Sequence, residues 1–444
     1  MFSLIVATDL EQNIGRDGTL PWHNSADLKF FKSMTENGVV ILGRKTYNSL
    51  KTPLKNRINI VLTHNKEPIS GVICCNTLYE IIKLRATQYL DKPWFVIGGA
   101  EIYNLFIENK LIEKMYITII PAIHDGCDTK FKWNKIKTKL IETITIEENV
   151  NCHHVKVINE TETAFLDLMR KILLTGAQRS SRNENTLSLF ANTLQFDLSN
   201  NTFPLLTTRK MFLRGIFEEL MMFIRGQTDN EILLSKKISI WTKNTTREFL
   251  DNRDLQHLPV GDMGASYGFL FRHFGANYID CKTDYTGQGI DQLSNVIRTI
   301  KTNPTDRRMI ISLWDPVNLN NCPLPPCLYN YQFYVIDGKL SCMMTQRSSD
   351  YVVAGGWNIA TGSLLTYLIA TVCDLMPDRL VWNIGDTHIY NNLIGQAEEQ
   401  VEREPYQFAK LYVKKRDNIE LFEYTDLELL GYNSHAAISL FMNA

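Results

Sequence analysis

The chain lacks most of what would place it in a membrane, a secretory route or a nucleic-acid complex. No apolar run is long enough to cross a bilayer. The longest, near Leu364 to Cys373, is about half of the ~20 residues that a spanning helix needs. The opening Met1-Phe2-Ser3-Leu4-Ile5-Val6-Ala7 has no basic lead-in and no small-residue cleavage site. It is therefore expected to be a first strand and not a signal peptide. The formal net charge is −1, so no global basic field attracts nucleic acid or acidic lipid, and anion binding falls to local arginines. Among nine cysteines there is no CxxC pair of the metal-site kind, and only Cys74 and Cys75 adjoin. Neither a metal site nor a disulfide framework is expected, which suits a reducing, cytoplasmic compartment. There is also no GxGxxG fingerprint, no internal repeat, no low-complexity insert and no long Pro/Gly/Ser linker.

What is present is a chain of 444 residues with an ordinary apolar share of 44%. That length suggests two or three domains of roughly 150 residues each, able to bury their own cores. Residues 1–158 read as an α/β unit. Near-continuous apolar runs at Phe2–Thr8, Val39–Leu42, Ile58–Thr63, Trp94–Ile97 and Lys114–Ile119 suit strands buried on both faces. Helices are expected over Ala26–Thr35, Leu78–Gln88 and Ala100–Glu108, the first capped by Ser25. A terminal strand pair is expected between Ile144 and Val157. Residues 159–161 would form a short connector, followed by a helix over Ala164–Leu174. Residues 162–444 mix long helices and strands without regular alternation, which favours α+β.

Two glycine sites follow strands in the first unit. Gly98-Gly99 ends one strand and opens a helix, where free N–H groups can hold phosphate. Gly43-Arg44-Lys45-Thr46 repeats the logic with two cations and a hydroxyl. Each alone is equally a tight turn; together they are compatible with one dinucleotide site. Asp27 stands among Leu20, Pro21, Trp22, Leu28, Phe30 and Phe31. It is either a helix-stabilising carboxylate or one whose raised pKa lets it donate a proton near neutral pH.

In the second unit, Cys327 follows Leu324-Pro325-Pro326. A strand over Tyr331–Val335 and another over Lys339–Met344 then bring the chain back to Gln346-Arg347-Ser348-Ser349-Asp350. A hairpin of this kind can set a cation beside a thiol and lower its pKa. A core thiol fits the same local pattern. The apolar helix expected over Arg214–Ile224 carries Glu218 and Glu219, and a glutamate in such a helix needs a partner or a proton. Arg307, Arg308 and Arg347 are candidates for one phosphate, or separately for solvated surface.

The run Asn13-Ile14-Gly15, Leu20-Pro21-Trp22, Asp27-Leu28, Phe31, Gly43-Arg44-Lys45-Thr46, Arg57 and Ile97-Gly98-Gly99-Ala100-Glu101-Ile102-Tyr103 resembles the dihydrofolate reductase family over essentially all of 1–158. The resemblance implies a mixed, mostly parallel sheet and reduction of 7,8-dihydrofolate by NADPH. Asp27 would hold the pterin and promote its protonation, with support from Thr118. Ile5, Leu28, Phe31, Leu50 and Leu54 would line the folate pocket, and Arg57 would pair with the glutamate α-carboxylate. Ala7, Ile14 and Gly15 would meet nicotinamide. Arg44, Lys45, Thr46, Thr63 and the segment Gly98, Gly99, Ala100, Glu101, Ile102 and Tyr103 would hold the phosphates, with His64 near the adenosine 2′-phosphate. Asn13 to Leu20 would be a mobile lid.

The segments Phe203 to Thr208, Glu219, Trp241 with Asn244, Tyr267, Arg307-Arg308, Cys327, Gln346 to Asp350, Asn358 and Gly385 to Asn391 are similar, in order, to thymidylate synthase over nearly all of 162–444. The combination resembles the bifunctional family in which both are fused. The implied chemistry is methylation of dUMP to dTMP with 5,10-methylenetetrahydrofolate as co-substrate. Cys327 would attack the uracil, Glu219 would relay protons and Tyr267 would assist removal of the C5 proton. Gln346, Arg347, Ser348, Asp350 and Asn358 would surround dUMP, with Asp350 reaching the folate ring. Arg182 and, from a partner subunit, Arg307 and Arg308 would share the phosphate with Arg347. His388 and Tyr390 would bind the sugar, and Trp241 and Asn244 would border the folate. The implied assembly is a homodimer, with no membrane and no nucleic acid required.

This chain departs from the family pattern at Leu328 after the cysteine, at the glycine-free loop Arg179 to Thr186, at Tyr351 to Trp357 with Gly362, and at the end Phe441-Met442-Asn443-Ala444. Two alternatives follow from these departures: a dUMP hydroxymethylase, or an active reductase fused to a weak synthase-like scaffold.

Overall fold

The computed structural model describes residues 2–50, 52–65, 67–180 and 184–441. The chain divides into two compact units. One comprises Met1–Glu160 with Pro405–Ala409 and Leu430–Asn433; the other holds Thr161–Glu404, Lys410–Leu429 and Ser434–Ala444.

In chain order the first unit contains β1 (Phe2–Thr8), β2 (Asn13–Gly15), α1 (Ser25–Thr35), β3 (Val39–Gly43), α2 (Arg44–Leu50), β4 (Ile58–Leu62), β5 (Ile73–Cys75) and α3 (Leu78–Thr87). It continues with β6 (Trp94–Gly98), α4 (Ala100–Glu108), β7 (Ile112–Ile119), β8 (Thr129–Lys130), β9 (Thr138–Glu147) and β10 (Val150–Val157). Eight strands form one sheet in the order β5-β4-β3-β6-β1-β7-β10-β9. The first six pair in parallel, and β10 and β9 close the edge antiparallel. The α/β expectation holds because the parallel strands are buried on both faces: Val39, Val40, Ile41 and Leu42 are all fully buried.

Local chemistry fixes the ends of these elements. The α1 cap is Asn24, not Ser25: its side chain accepts the Asp27 N–H at 2.7 Å. Gly98 sits at φ +119, and a Cβ there would lie 3.1 Å from the Tyr103 hydroxyl, so only glycine fits the β6–α4 turn.

The second unit opens with α5 (Glu160–Thr175), so two of the three residues expected to be a connector are its first turn. Then follow β11 (Ala177–Arg179), β12 (Thr186–Asp197), β13 (Thr202–Phe203), α6 (Leu213–Ile224), α7 (Glu231–Leu234), α8 (Arg247–Asp251), α9 (Tyr267–Arg272) and α10 (Gln292–Thr302). The remainder is β14 (Ile310–Ser312), β15 (Leu328–Ile336), β16 (Lys339–Asp350), α11 (Gly355–Val372), β17 (Met376–Tyr390), α12 (Ile394–Val401), β18 (Ala409–Val413) and β19 (Leu427–Leu430).

The main sheet of this unit runs β11-β12-β17-β16-β15-β14 and is antiparallel except for β16 beside β17. With its helices segregated from a largely antiparallel sheet, this unit is α+β. The strand expected to stop at Met344 continues to Asp350, because β17 pairs with it as far as Asp350 opposite His388. The apolar run near Leu364 lies inside α11, which is buried almost all round and forms the core between the sheet and α6.

Candidate active sites

In the first unit, Asp27 sits in the opening turn of α1 and is 8% exposed, and Thr118 near the end of β7 is 1% exposed. Burial pushes the Asp27 carboxyl above its ordinary value, and a hydrogen bond with the Thr118 hydroxyl opposes the shift. Of the two readings open for Asp27, the structure has the carboxyl buried, near enough to the buried Tyr103 ring to influence its hydroxyl, which donates to the Ile5 carbonyl at 2.8 Å; Leu28 is exposed.

Arg57 is held in place by the C-terminal turn of α1. Its Nε donates to Thr35 Oγ1 at 3.0 Å, Nη2 to the Lys32 carbonyl at 3.0 Å and Nη1 to the Lys55 carbonyl at 2.8 Å. Asn59, which sequence reasoning missed, clasps the turn at Leu54: its amide bonds both the N–H and the carbonyl of Leu54 at 3.0 and 2.9 Å. Its signal was a buried amide within an apolar strand.

The two glycine sites converge. A Cβ on Gly99 would lie 3.2 Å from Thr46 Oγ1, so the α2 and α4 openings face one another. No side chain caps α4 at Gly99, leaving its first N–H groups free for an anion. Arg44 Nη1 is buried without a hydrogen-bond partner among the described residues. This cradle of glycine backbone, hydroxyl and orphaned guanidinium fits a dinucleotide phosphate. Lys45 and Glu101, both exposed, pair with each other at 3.7 Å. Thr63 is buried after β4, and His64 is exposed. β2, with Ile14 and Gly15, pairs with β8, and Asp9 fixes its start by accepting the Asn13 amide at 2.8 Å.

In the second unit, Cys327 directly precedes β15. Its N–H donates to the Tyr267 hydroxyl at 2.9 Å, and its carbonyl accepts the Arg347 N–H at 2.8 Å. Arg347 Nη2 lies 3.7 Å from Cys327 Sγ, while Nε and Nη2 donate to the Pro326 and Pro325 carbonyls at 2.9 and 3.0 Å. The hairpin therefore does set a cation beside the thiol. The expected drop in thiol pKa is reversed, however: burial raises it by more than Arg347 lowers it.

Glu219 on α6 is buried, which pushes its carboxyl up to about 7 against two indole donors, Trp357 and Trp241. Asn358 Nδ2 donates to Gln346 Oε1 at 3.0 Å, and Trp382 Nε1 donates to the same oxygen at 3.0 Å. Gln346 thereby fixes the Asn358 amide. His388 Nδ1 lies 3.2 Å from Asp386 Oδ1, and its ring meets Tyr390 edge-on at 5.1 Å. Ser348 stands opposite Asp386 across β16 and β17. Asp350 accepts the Val353 N–H at 3.1 Å, and burial pushes its carboxyl up. Trp241 and Asn244 are both buried, and Trp241 reaches Glu219 on α6.

Two of the phosphate candidates stand at the surface. Arg307 and Arg308 are exposed, with no side-chain hydrogen bond or ion pair among the described residues. Arg182 lies outside the described residues, and its neighbour Arg179 is engaged by Asp386 at 2.5 Å. Arg209, missed at the sequence level, is a buried cation that donates to the Val353 carbonyl at 3.0 Å and lies near enough to lower the Asp350 carboxyl.

Residues 1–166 match the family model described as dihydrofolate reductase, and residues 163–444 match the model described as thymidylate synthase. A Paramecium tetraurelia protein named bifunctional dihydrofolate reductase-thymidylate synthase is 39% identical over 99% of this chain and 98% of its own. Proteins of the same name from Zea mays and Leishmania major are 36% and 35% identical, each over 99% of this chain and over 96% and 95% of their own lengths. The chain belongs to the bifunctional dihydrofolate reductase–thymidylate synthase family.

Proposed function

We propose that the chain methylates dUMP to dTMP with 5,10-methylenetetrahydrofolate in its second unit and reduces the resulting dihydrofolate in its first. The observation that carries this reading is the Cys327–Tyr267–Arg347 constellation beside Glu219 and Asn358, in a chain with a second buried carboxyl at Asp27.

In the second unit, Cys327 forms a bond from sulfur to uracil C6, and the electron pair moves to C5. Because its thiol is raised at rest, dUMP must bring the change. The thiol gives its proton to solvent water, and the thiolate, held against the Arg347 cation, then forms the bond. Arg347 holds phosphate and stands against the thiolate. Asn358, aligned by Gln346, offers one donor and one acceptor to the pyrimidine edge. Glu219, with a pKa near the working pH, carries protons to and from the ring. Tyr267, anchored on the Cys327 N–H, takes part in removal of the C5 proton. His388 and Tyr390 suit the sugar hydroxyl, and Ser348 and Arg182 the phosphate. Asp350, Trp241 and Asn244 border the folate. Methylenetetrahydrofolate, when bound, supplies the carbon and the hydride.

In the first unit, NADPH, when bound, supplies the hydride. Arg44, Thr46 and the α4 opening at Gly98-Gly99 would hold its phosphates, with Thr63 and His64 toward the adenosine and Ala7, Ile14 and Gly15 toward the nicotinamide. Asp27 holds the pterin and favours its protonation. Leu28, Phe31, Leu50 and Leu54 exclude water from the ring, and Arg57 takes the α-carboxylate.

A homodimer is part of the reading. Arg307 and Arg308 are exposed, and the main sheet of the second unit carries exposed Phe190, Tyr334, Ile336 and Met376. Among the described residues, no helix is long and apolar enough to cross a membrane. With nine free cysteines, a cytoplasmic location is proposed. The test of the whole reading is product analysis from dUMP and methylenetetrahydrofolate, with dTMP and an equal amount of dihydrofolate expected. A hydroxymethylated nucleotide would favour the alternative in which water traps the intermediate.

A further inference from the structure

Both oxygens of the Glu219 carboxylate are taken by indoles. Oε1 accepts from Trp241 Nε1 at 2.7 Å, and Oε2 accepts from Trp357 Nε1 at 2.6 Å. Trp241 also stands edge-on to Tyr267, with ring centres 6.1 Å apart. Trp357 lies in the first turn of α11, directly before Asn358. Its approach depends on a notch in α6: a Cβ on Gly215 would lie 2.9 Å from Trp357 Cη2 and 2.5 Å from the Phe212 ring. Residues 215 and 219 are one turn apart on the same helix face, so the indole crosses the glycine and reaches the carboxylate. Trp357 falls within the segment that departs from the family pattern.

We propose that Trp357 is a positioning residue for the synthase reaction, fixing the second oxygen of Glu219 beside the pyrimidine-reading Asn358 and setting the pH at which that carboxyl exchanges its proton. The proposal rests on the synthase reading of the second unit. An indole N–H only donates, so it stabilises the carboxylate without competing for its proton. Two such donors oppose the burial that pushes Glu219 up to about 7. Take one away and the anion is less stabilised, so the pKa rises.

The other ionisable groups around Glu219 do not supply this effect. Tyr267 on α9 and Tyr331 on β15 have hydroxyls pushed far above their ordinary range by burial, so they stay neutral. Glu218 is paired with Lys236 at 2.6 Å. Arg272 on α9 is engaged by Asp291 and Glu420 at 2.9 and 2.5 Å, and Asp426 by Arg416 at 2.7 Å. Glu231 on α7 accompanies Asp229, which holds Lys282. Tyr424 contributes its ring, against Phe217.

The test is infrared titration of the buried carboxyl stretch in the full-length protein, with Glu219→Gln assigning the band, alongside the pH profile of kcat/KM for dTMP formation. Trp357→Phe keeps the bulk and drops the donor. The midpoint of the Glu219 band and the corresponding kinetic limb should both move up by about one pH unit, the scale of one hydrogen bond to a charged group. KM for dUMP should stay within about twofold. Trp357→Gln, whose amide keeps an N–H donor and does not titrate, should return the midpoint toward that of the unaltered protein, and it also serves if the phenylalanine variant folds poorly. An unmoved midpoint in Trp357→Phe overturns the proposal, as does an equal rise in both variants. If the unaltered protein makes no dTMP, the synthase reading fails. The band titration still decides whether Trp357 governs Glu219.

Discussion

Tyr267 and Cys327 are tied by a single hydrogen bond, from the cysteine N–H to the phenolic oxygen, at 2.9 Å. The bond joins the opening of α9 to the residue before β15. The phenolic oxygen accepts in this bond, so the Tyr267 proton is not spent on it, and the thiol sulfur lies 3.7 Å from Arg347 Nη2. Cys327→Ser keeps this backbone tie and replaces only the nucleophile. Formation of dTMP should fall by at least about a thousandfold, since removal of a covalent nucleophile leaves only binding and electrostatic effects. Reductase turnover in the same sample should be unchanged. Persistence of dTMP formation would show that the nucleophile lies elsewhere.

Asp27 gives a pH prediction with a defined sign. Its carboxyl is raised by burial and partly restored by the Thr118 hydroxyl. If the protonated form assists reduction, kcat/KM for dihydrofolate falls as pH rises through that raised value. Thr118→Val removes a donor that favours the anion, so the limb should move to higher pH. Asp27→Asn should abolish the limb and lower kcat while dTMP formation continues. Linkage has the same origin. A folded-state pKa above the unfolded one means stability that is full below the unfolded value and is lost as pH rises through the folded one. The stability of Asp27→Asn should therefore depend less on pH over that window.

Arg57 is held by three hydrogen bonds, two to the last turn of α1 and one to the Lys55 carbonyl, so it presents its fork without reorganising. Arg57→Ala should raise KM for dihydrofolate by roughly 10- to 100-fold, the scale of a lost charge-assisted pair, with a much smaller change in kcat. A folate analogue lacking the glutamate tail should be nearly indifferent to the substitution. Equal loss for both substrates would place Arg57 outside the carboxylate site.

The exposed pair Arg307 and Arg308 tests the shared-site dimer. Arg307→Ala/Arg308→Ala and Cys327→Ser should each be inactive as synthases. Mixing them through reversible unfolding should recover about a quarter of the original activity, because a mixed twofold dimer rebuilds one intact site of two. No recovery, with dimers verified by mass, would mean that each site uses only its own arginines.

Much of this was legible in the sequence, and the parts that were not have physical causes. Val39–Leu42 announced itself because a strand buried on both faces needs an unbroken apolar run. α6 announced itself by carrying two glutamates through an apolar helix. By contrast, β16 runs on through Gln346-Arg347-Ser348-Ser349-Asp350, a polar stretch that local propensity ends too early. β17 supplies the pairing that propensity could not. The cap fell one residue early, at Asn24, since asparagine and serine both qualify and only geometry chooses. The thiol of Cys327 was expected to be lowered by Arg347, but the charge was visible in the sequence and the burial was not. Trp357 stood out only as an unusual residue; that it reaches Glu219 depends on Gly215, some 140 residues away in sequence.

The most direct test of the central claim is the nucleotide product. Purified protein is given dUMP and methylenetetrahydrofolate, first without and then with NADPH, and the nucleotide is identified by mass. The account predicts dTMP together with an equal amount of dihydrofolate, and consumption of that dihydrofolate once NADPH is added. Appearance of 5-hydroxymethyl-dUMP, or reduction of added dihydrofolate with no nucleotide product at all, would contradict it.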